Sequence, residues 1–273
     1  MTPLNLVRLG VRKDLLMSLA KRQGRDVDTG YAVHGALAAV WQDHAPVPFR
    51  VNPRARSTSH LEVWAYSPLP DDSLREHASK YANPDTVDLV DLGELKSRPV
   101  PAFEVGDLVG FELRACPIVR SVMKGKNPRP PHKSKKTGRE REVSREMDAW
   151  LHARLRATEM GKPVPSKDDV YRKWFELQLG SRPGQAREPW HDGVAVRAFK
   201  LTGILGERLY RRELPDKAGN RPGHRLERPD VHMEGVLEVK DSAAFRALLT
   251  RGVGRHRAFG FGMLVPVPPR MSC

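Results

Sequence analysis

The sequence predicts an α+β protein made of two consecutive units, each a sheet with helices on one face. Strand and helix patterns alternate through the first hundred residues, prolines at Pro99 and Pro101 interrupt them, and a second series of strands and helices follows. With 273 residues, 39% of them apolar, the chain can bury one large or two small cores. No repeat is visible in the residues themselves, so the duplication rests on the order of elements alone.

The first unit, residues 1–98, is predicted to contain four strands, two helices and a basic, helical insertion. Period-two alternation of apolar residues marks the strands. One helix follows Thr29, a favourable N-cap, and the other has an acidic first turn at Asp71. The predicted elements are a strand at Leu4–Gly10, the insertion at Val11–Arg25, a helix from Thr29 to Asp43, strands at Phe49–Pro53 and Leu61–Tyr66, a helix at Asp71–Tyr81 and a strand at Val87–Leu92.

The second unit, residues 103–273, carries a basic, partly helical insertion at 120–190. Helical spacing of apolar residues predicts two helices in that insertion, which end near Gly161 and Gly180. Loops rich in Arg, Pro and Gly are expected over much of 181–191 and 211–230. The predicted elements are a strand at Leu108–Ala115, helices over Val143–Leu155 and Val170–Leu177, strands at Val194–Leu205 and His232–Val239, a helix after Asp241 that ends at Gly252 and a strand at Met263–Val267.

The charge of the chain favours a polyanionic partner. There are 47 Lys and Arg against 33 Asp and Glu, a formal charge of +14, and each neutralised phosphate releases condensed counterions. The alternative is a basic surface that only keeps the protein in solution. The run 124–141 holds eight Lys or Arg and one acid, and we expect it to be disordered without a partner, or to be a flexible solvated loop. Its candidate nucleic-acid-binding residues are Lys124, Lys126, Arg129, Lys133, Lys135, Lys136 and Arg139.

Cysteine usage and hydropathy indicate neither a metal site nor a membrane protein. Cys116 and Cys273 are far apart, and no Cys/His cluster exists. No apolar run reaches membrane-spanning length, and the basic N-terminal segment lacks the apolar centre of a signal peptide. We therefore expect a cytoplasmic protein with no cofactor and no metal.

Residues 251–262 combine four glycines with basic side chains. Glycine lets the backbone take positive φ and approach a ligand closely, and the Arg and His donors suit phosphate. The segment lacks the Gly-Lys-Ser/Thr ending of a nucleotide P-loop and the spacing of a dinucleotide fingerprint. It is predicted to bind phosphate, the alternative being a connection that only turns the chain. The candidate residues are Arg251, Gly252, Gly254, Arg255, His256 and Arg257.

Three segments, in the same order along the chain, resemble the CasE family of CRISPR RNA endoribonucleases, which belongs to the Cas6 superfamily and serves type I-E systems. Tyr31–Trp41, with a Tyr-x-x-His pair, is similar to the family's first helix, and Phe111–Ile118 is similar to its strand ending in Arg-Ala-Asn-Pro. Gly235–Phe245 and Gly252–Leu264 together resemble its C-terminal signature. Each motif alone is loose, but three in order are fairly specific.

The resemblance implies two ferredoxin-like (RRM-like) domains in tandem and a metal-independent cut at the base of a CRISPR repeat hairpin. It also implies that the product crRNA stays bound and joins an interference complex with other Cas subunits. Tyr31 and His34 would be the catalytic pair, beside the glycine-rich loop 252–262.

The residues themselves agree with these roles. Three positions apart on a helix, Tyr31 and His34 project about 60° from each other, so both can reach one groove. RNA supplies the 2′-OH nucleophile, and a histidine can act as acid or base near neutrality, which would give 2′,3′-cyclic phosphate and 5′-OH ends. The alternatives are an interfacial histidine without chemistry and a tyrosine that only packs at the helix start.

This chain also departs from the family pattern. A basic insertion precedes the Tyr-x-x-His helix, and Gly35, Ala38 and Ala39 offer no cation to the phosphorane. Arg22 or Arg25, or the loop arginines, are the candidates for that role, while Arg114 could face RNA or form a salt bridge across its sheet. These departures leave open a divergent relative from a type IV system. Two further alternatives are a non-catalytic crRNA hairpin-binding subunit and a general basic RNA-binding protein.

Overall fold

The computed structural model of the chain describes residues 3–22, 28–52, 59–121, 132–133, 140–141, 145–181, 184–212 and 223–269. Within these ranges the helices are α1 (Lys13–Arg22), α2 (Thr29–Trp41), α3 (Asp71–Tyr81), α4 (Pro84–Val87), α5 (Ala149–Glu159), α6 (Lys167–Leu179) and α7 (Ser242–Arg251). The strands are β1 (Asn5–Arg12), β2 (Phe49–Val51), β3 (His60–Ser67), β4 (Val90–Pro99), β5 (Leu108–Ala115), β6 (Ile118–Ser121), β7 (His132–Lys133), β8 (Glu140–Arg141), β9 (Arg145–Asp148), β10 (Val194–Arg212), β11 (Gly223–Val239) and β12 (Leu264–Val267). Short 3₁₀ turns span Gln42–His44 and Arg257–Phe259.

The first sheet is antiparallel, with the strand order β2–β3–β1–β4. In the central strand β1, Val7 pairs with Ala65 of β3 and with Ser97 of β4. Leu37 of α2 and Leu74 of α3 are fully buried in the same apolar cluster as Val7 and Ala65. Both helices therefore pack on the sheet through their apolar stripes, which fixes the position of α2.

The second sheet is also antiparallel, with the order β10–β11–β5–β12. Its core contains Phe111 of β5, Phe175 of α6 and Phe245 of α7, all fully buried. The rings of Phe111 and Phe175 stack with their centroids 5.1 Å apart. Helices α6 and α7 thus cover this sheet as α2 and α3 cover the first.

Both sheets have the same topology. Counted along its own unit, each has the strand order 2–3–1–4, with helices between the first and second strands and between the third and fourth. This is the ferredoxin-like arrangement. The predicted α+β class, with two ferredoxin-like domains in tandem and a partly helical insertion in the second, is confirmed. The exact domain limits at residues 98 and 103 stay a prediction.

Direct contacts join the two units. The Tyr66 hydroxyl of β3 donates a hydrogen bond to the Leu264 carbonyl of β12 at 2.9 Å. Arg50 of β2 lies 3.2 Å from Glu112 of β5 in a partly buried ion pair. Leu4 and Tyr66 are buried in the core of the second sheet. The first unit is therefore held against the second, which sets α2 beside the C-terminal loop.

Two predicted boundaries in the first third were wrong by a few residues. Val11, assigned to the basic insertion, is fully buried in β1 and pairs with Leu61 and Val90, so the helix of the insertion begins at Lys13. Asp28, rather than Thr29, caps α2, because its carboxylate accepts the Tyr31 N–H at 2.9 Å.

The strand predicted at Val87–Leu92 begins later and is longer. Asn83 accepts the N–H of Asp85 and Pro84 occupies the first helical position, so residues 84–87 form α4. The strand then runs from Val90 to Pro99 and includes the first of the two prolines that suggested a linker.

The second unit has more strand than predicted. Met147, assigned to a helix, lies in β9 and pairs with Val119 of β6. The Asp148 carboxylate accepts the N–H groups of Trp150 and Leu151, so the helix starts only at Ala149. Strands β10 and β11 form a long hairpin that occupies part of 211–230, where a loop was expected.

The predicted disorder of the run 124–141 falls almost entirely outside the described residues. Residues 132–133 and 140–141 pair as the short strands β7 and β8. Of the candidate RNA-binding residues in this run, only Lys133 lies in these strands, and only its backbone is described. Lys124, Lys126, Arg129, Lys135, Lys136 and Arg139 lie outside the described ranges. No helix in the described part of the chain is long and apolar enough to cross a membrane.

Candidate active site

Tyr31 and His34 lie in the first two turns of α2, and both side chains are half-buried. Asp28 caps the helix, and Val33 and Leu37 anchor it in the core. The ring centroids of Tyr31 and His34 are 6.3 Å apart. The sequence predicts His34 on the margin of the buried stripe and Tyr31 farther toward solvent. In the structure both are half-buried, and Tyr31 packs against Phe259.

The imidazole of His34 sits in a partly desolvated position. It lies parallel to the Phe49 ring, with centroids 6.5 Å apart. Burial lowers the pKa of His34 below its ordinary value, because desolvation disfavours the charged form. Its Nδ1 is buried and has no hydrogen-bond partner among the described residues. A neutral imidazole near pH 7, able to accept a proton, follows from these features.

A groove of about 620 Å³ runs from His34 to the glycine-rich loop. The loop, residues 252–262, follows α7 and forms one wall, and Val47 and Pro48 contribute near His34. The structure thus brings the predicted catalytic helix and the predicted phosphate-binding loop to one groove. The groove is lined by His34, Val47, Pro48, Glu146, Thr250, Arg251, Gly254, Arg255, His256, Arg257, Ala258 and Phe259.

Close packing joins α2 to the loop. The Tyr31 ring stacks on Phe259 with centroids 5.3 Å apart. A Cβ on Gly30 would lie 2.1 Å from the Phe259 carbonyl oxygen, so only glycine allows this approach. The loop and the start of α2 consequently behave as one packed unit.

The loop itself needs unusual backbone conformations. Gly252 ends α7, as predicted, and its φ of +76° is positive, as expected of a capping glycine. Its ψ of 172° lies outside the left-handed helical region that was expected there. Gly254 has φ +75°, and a Cβ there would meet the Trp174 ring at 2.9 Å. His256 takes φ +61°, a conformation uncommon for a residue with a side chain. The loop therefore has positive φ both at glycines and at a residue that carries a side chain.

Two arginines beside the groove, Arg251 at the end of α7 and Arg257 in the loop, are available to an anion. Arg251 lies over the Trp190 ring at 4.0 Å, and Arg257 donates a hydrogen bond to the Arg251 carbonyl. Burial, and then the charge of Arg257, lower the pKa of Arg251, which nonetheless stays charged near neutrality. Among the described residues, no carboxylate lies within ion-pair distance of either guanidinium. The charge of Glu188 acts on the pKa of Arg251 in the opposite direction, from beyond ion-pair distance. Two cations at one groove, neither in a direct ion pair, form a site for phosphate.

The other two basic loop residues share one carboxylate. Glu146 of β9 lies 3.0 Å from Arg255 and 3.3 Å from His256, and Arg228 of β11 contacts it at 3.2 Å. Burial alone would raise the pKa of Glu146, but His256, Arg255 and Arg228 act oppositely and the net direction is downward. Glu146 is therefore charged at neutral pH. The sequence analysis missed it, because an acid beside a basic run ordinarily lies in solvent.

Arg114 is engaged within the second sheet. Its guanidinium makes two hydrogen bonds of 3.0 Å to Asp230 and lies over the Phe261 ring at 4.5 Å. Its carbonyl accepts the Gly262 N–H at 2.7 Å. The salt bridge considered for Arg114 is thus present, it braces the end of the glycine-rich loop, and its role toward RNA stays a prediction.

The described atoms do not include the side chains of the candidate cations in the first insertion. Arg22 is the last residue of α1 and its side chain is not described, and Arg25 lies outside the described residues. Their proposed part in stabilising the transition state stays a prediction.

A second, larger groove adjoins the first. Its volume is about 1020 Å³, and it runs between α6, β6 and residues 185–191. Glu146, Arg251, Gly254 and Arg255 line both grooves. The two grooves therefore meet at these four residues.

A family model described as CRISPR-associated protein matches residues 13–268 of the chain. The chain belongs to this family of CRISPR-associated proteins, and the family resemblance predicted from its motifs is confirmed. Comparison with curated protein sequences finds no match.

Solved structures extend the comparison to the fold. A structure of the CRISPR endoribonuclease Cse3 bound to 19-nucleotide RNA is 20% identical, with a TM-score of 0.54, and the match covers 97% of this chain and 100% of that one. Thermus thermophilus Cse3, bound to an RNA representing a pre-cleavage complex, is 19% identical over 97% and 100% of the two chains, with a TM-score of 0.49. Cas6e from Escherichia coli K-12 is 16% identical over 97% and 99%, with a TM-score of 0.49. The first of these supports the tandem fold over nearly the whole chain.

Proposed function

We propose that this protein is a metal-independent endoribonuclease that cleaves precursor CRISPR RNA at the base of the repeat hairpin and stays bound to the crRNA product. The observation that carries the proposal is the groove in which the half-buried His34 faces Arg251 at the end of α7 and Arg257 of the loop, neither of which has a carboxylate within ion-pair distance among the described residues. Tyr31 does not line this groove itself, but its ring stacks on Phe259, which does. Family membership and the RNA-bound structure with the same fold support RNA as the substrate.

The reaction follows from the protonation state of His34. Its lowered pKa keeps the imidazole neutral, so it can accept the proton of the ribose 2′-OH. The 2′ oxygen then forms a bond to phosphorus while the bond from phosphorus to the 5′ oxygen breaks. A proton delivered to the leaving 5′ oxygen completes the step, and Tyr31 is the hydroxyl placed beside His34 to orient or protonate it. The products are a 2′,3′-cyclic phosphate and a 5′-OH.

The loop supplies the electrostatic part. Negative charge builds on the phosphorane oxygens, and cations held beside them stabilise it more than they stabilise the ground state. Arg251 and Arg257 hold positive charge there. This assigns to the loop the role that Gly35, Ala38 and Ala39 of α2 leave unfilled. The remaining partners we propose are other Cas subunits of an interference complex.

The test is cleavage of the cognate repeat RNA by the wild type and by His34→Ala. We expect the variant to lose at least about 100-fold in single-turnover rate, the lower range for removing a general acid–base group, while it binds RNA normally. His44→Ala is the matched control, because His44 contacts His77 outside the groove. Undiminished cutting by His34→Ala would refute the catalytic role.

Two further measurements separate the alternatives. Cleavage should continue in excess EDTA, and its abolition would indicate a metal nuclease. Competition with unrelated RNA stems at moderate salt distinguishes a hairpin-specific protein from a general basic RNA-binding one. Specific binding without any cleavage by the wild type would instead identify a non-catalytic hairpin-binding subunit.

A further inference from the structure

We propose that Glu146 is a positioning residue, whose carboxylate holds Arg255 and His256 against the wall of the candidate active groove and thereby fixes the loop that faces His34. The consequence for catalysis rests on the proposed function, but the consequence for the loop does not. Glu146 lies in β9, within the insertion in the second domain, and is far in sequence from the three basic residues that its carboxylate contacts.

The geometry around Glu146 is that of an anchor. One oxygen of the carboxylate contacts Arg255 at 3.0 Å, and the other contacts Arg228 at 3.2 Å and His256 at 3.3 Å. The side chains of Glu146, Arg228 and His256 are only 18%, 14% and 8% exposed. Solvent screens the contacts among these three residues less than it screens a surface pair, whereas Arg255, at 48% exposure, is the more screened partner. The three basic residues come from β11 and from the loop, so the contacts tie two separate segments to β9.

Removing the negative charge would leave the basic groups facing each other. Arg255, Arg228 and His256 all lie within 3.3 Å of one carboxylate, so they are close to one another as well. The guanidinium groups of Arg255 and Arg228 are permanently charged, and like charges that share a partly buried site repel unless a counter-charge separates them. Without Glu146, this repulsion would push the loop residues outward, because Arg228 is held in a strand.

A chain of contacts leads from Glu146 to the candidate catalytic pair. His256 has φ +61°, which is strained for a residue with a side chain and needs surrounding contacts to hold it. The His256 ring packs edge-on against Phe259 at 5.6 Å, and Phe259 stacks on Tyr31 at 5.3 Å. Displacement of His256 would therefore disturb the ring against which Tyr31 is set.

The opposite reading, in which Glu146 blocks the phosphate site until RNA displaces it, is less well supported. Arg251 and Arg257 already face the groove without a carboxylate within ion-pair distance among the described residues. A phosphate can bind them while Glu146 keeps its contacts. The structure thus separates the loop cations into a pair for the ligand and a pair for the anchor.

The experiment compares Glu146→Gln and Glu146→Asp with the wild type. Glu112→Gln is the matched control, because Glu112 also forms a partly buried ion pair with an arginine, at the domain junction and outside the groove. Four quantities are measured: the single-turnover cleavage rate at saturating repeat RNA, the Kd for that RNA, the melting temperature, and hydrogen exchange of the amides in 252–262 without RNA.

We expect Glu146→Gln to cleave about 10- to 100-fold more slowly, as a small misplacement of catalytic groups predicts, with a Kd no weaker than that of the wild type. Amides of the loop should exchange faster, while the rest of the second domain is unchanged. Glu146→Asp keeps the charge and should recover part of both the rate and the protection. Glu112→Gln should leave the loop and the rate as they are.

Faster cleavage with tighter binding in Glu146→Gln would overturn the proposal in favour of a blocking role. Unchanged exchange of the loop amides would overturn it as well, whether or not the protein cleaves RNA. A loss of protection throughout the domain, with no recovery in Glu146→Asp, would show a merely structural residue. If the wild type fails to cleave, the proposed function fails, and the exchange measurement still decides the role of Glu146.

Discussion

The division of the loop cations makes a quantitative prediction about salt. Arg257 has no carboxylate partner among the described residues, whereas Arg255 is already neutralised in part by Glu146 at 3.0 Å. A cation contributes to the salt dependence only if it neutralises a phosphate and so releases counterions that were condensed on the RNA. Each such contact changes the slope of log Kd against log salt by about 0.7–0.9. Arg257→Ala should therefore lower the slope of log Kd against log salt by about 0.7–0.9, and Arg255→Ala by less than half as much.

The assay is equilibrium binding of the repeat hairpin between about 50 and 200 mM KCl, a range over which one lost contact changes the affinity ratio by about threefold. His34→Ala in every protein prevents cleavage during the measurement. Lys80→Ala is the control, because Lys80 is an exposed cation on α3, which lines no part of the groove. A reduction for Arg255→Ala as large as that for Arg257→Ala would refute the division of the cations.

Further predictions concern the catalytic helix. Because burial lowers the pKa of His34, the neutral base should be lost only as pH falls through a value below about 6.5, and a pH profile of the single-turnover rate with its acidic limb above that value would contradict this. Gly30→Ala should lower both the melting temperature and the cleavage rate, since its Cβ would lie 2.1 Å from the Phe259 carbonyl oxygen. A Cβ on Gly35 would meet nothing within 4 Å, so Gly35→Ala should instead stabilise the helix by up to about 1 kcal/mol. Equal effects of the two substitutions would refute the packing argument. Tyr31→Phe keeps the ring against Phe259 and should slow cleavage, so an unchanged rate would exclude a role for the hydroxyl.

Much of the fold was predictable, because local patterns decide it. The alternation in β3 and the apolar stripe of α2 reflect burial against one sheet, so they can be read from the residues. The boundaries failed where a single contact decides them. Asp28 and Thr29 are both good N-caps, and only the hydrogen bond from the Tyr31 N–H selects Asp28. Residues beyond 205 continue β10 because they pair with β11, a long-range contact that no local composition encodes.

The candidate site divides in the same way. Tyr31, His34 and the loop were found because a helical spacing and a glycine pattern are local signals. The structure places His34 and the loop on one groove, and Tyr31 packs on Phe259 of its wall. Glu146 was missed because its partners lie about 80 and 110 residues away. The two possibilities for Arg114 could not be separated from sequence, since its partner Asp230 lies on a neighbouring strand whose register is set by the whole sheet.

The most direct test of the central claim uses a repeat RNA with one 2′-deoxy nucleotide at the mapped cleavage position. If the imidazole of His34 acts by removing the 2′-OH proton, the wild-type protein should bind this RNA as tightly as the unmodified repeat and leave it uncut. Cleavage of the 2′-deoxy RNA at the same position would contradict the account, because no internal nucleophile would then be needed.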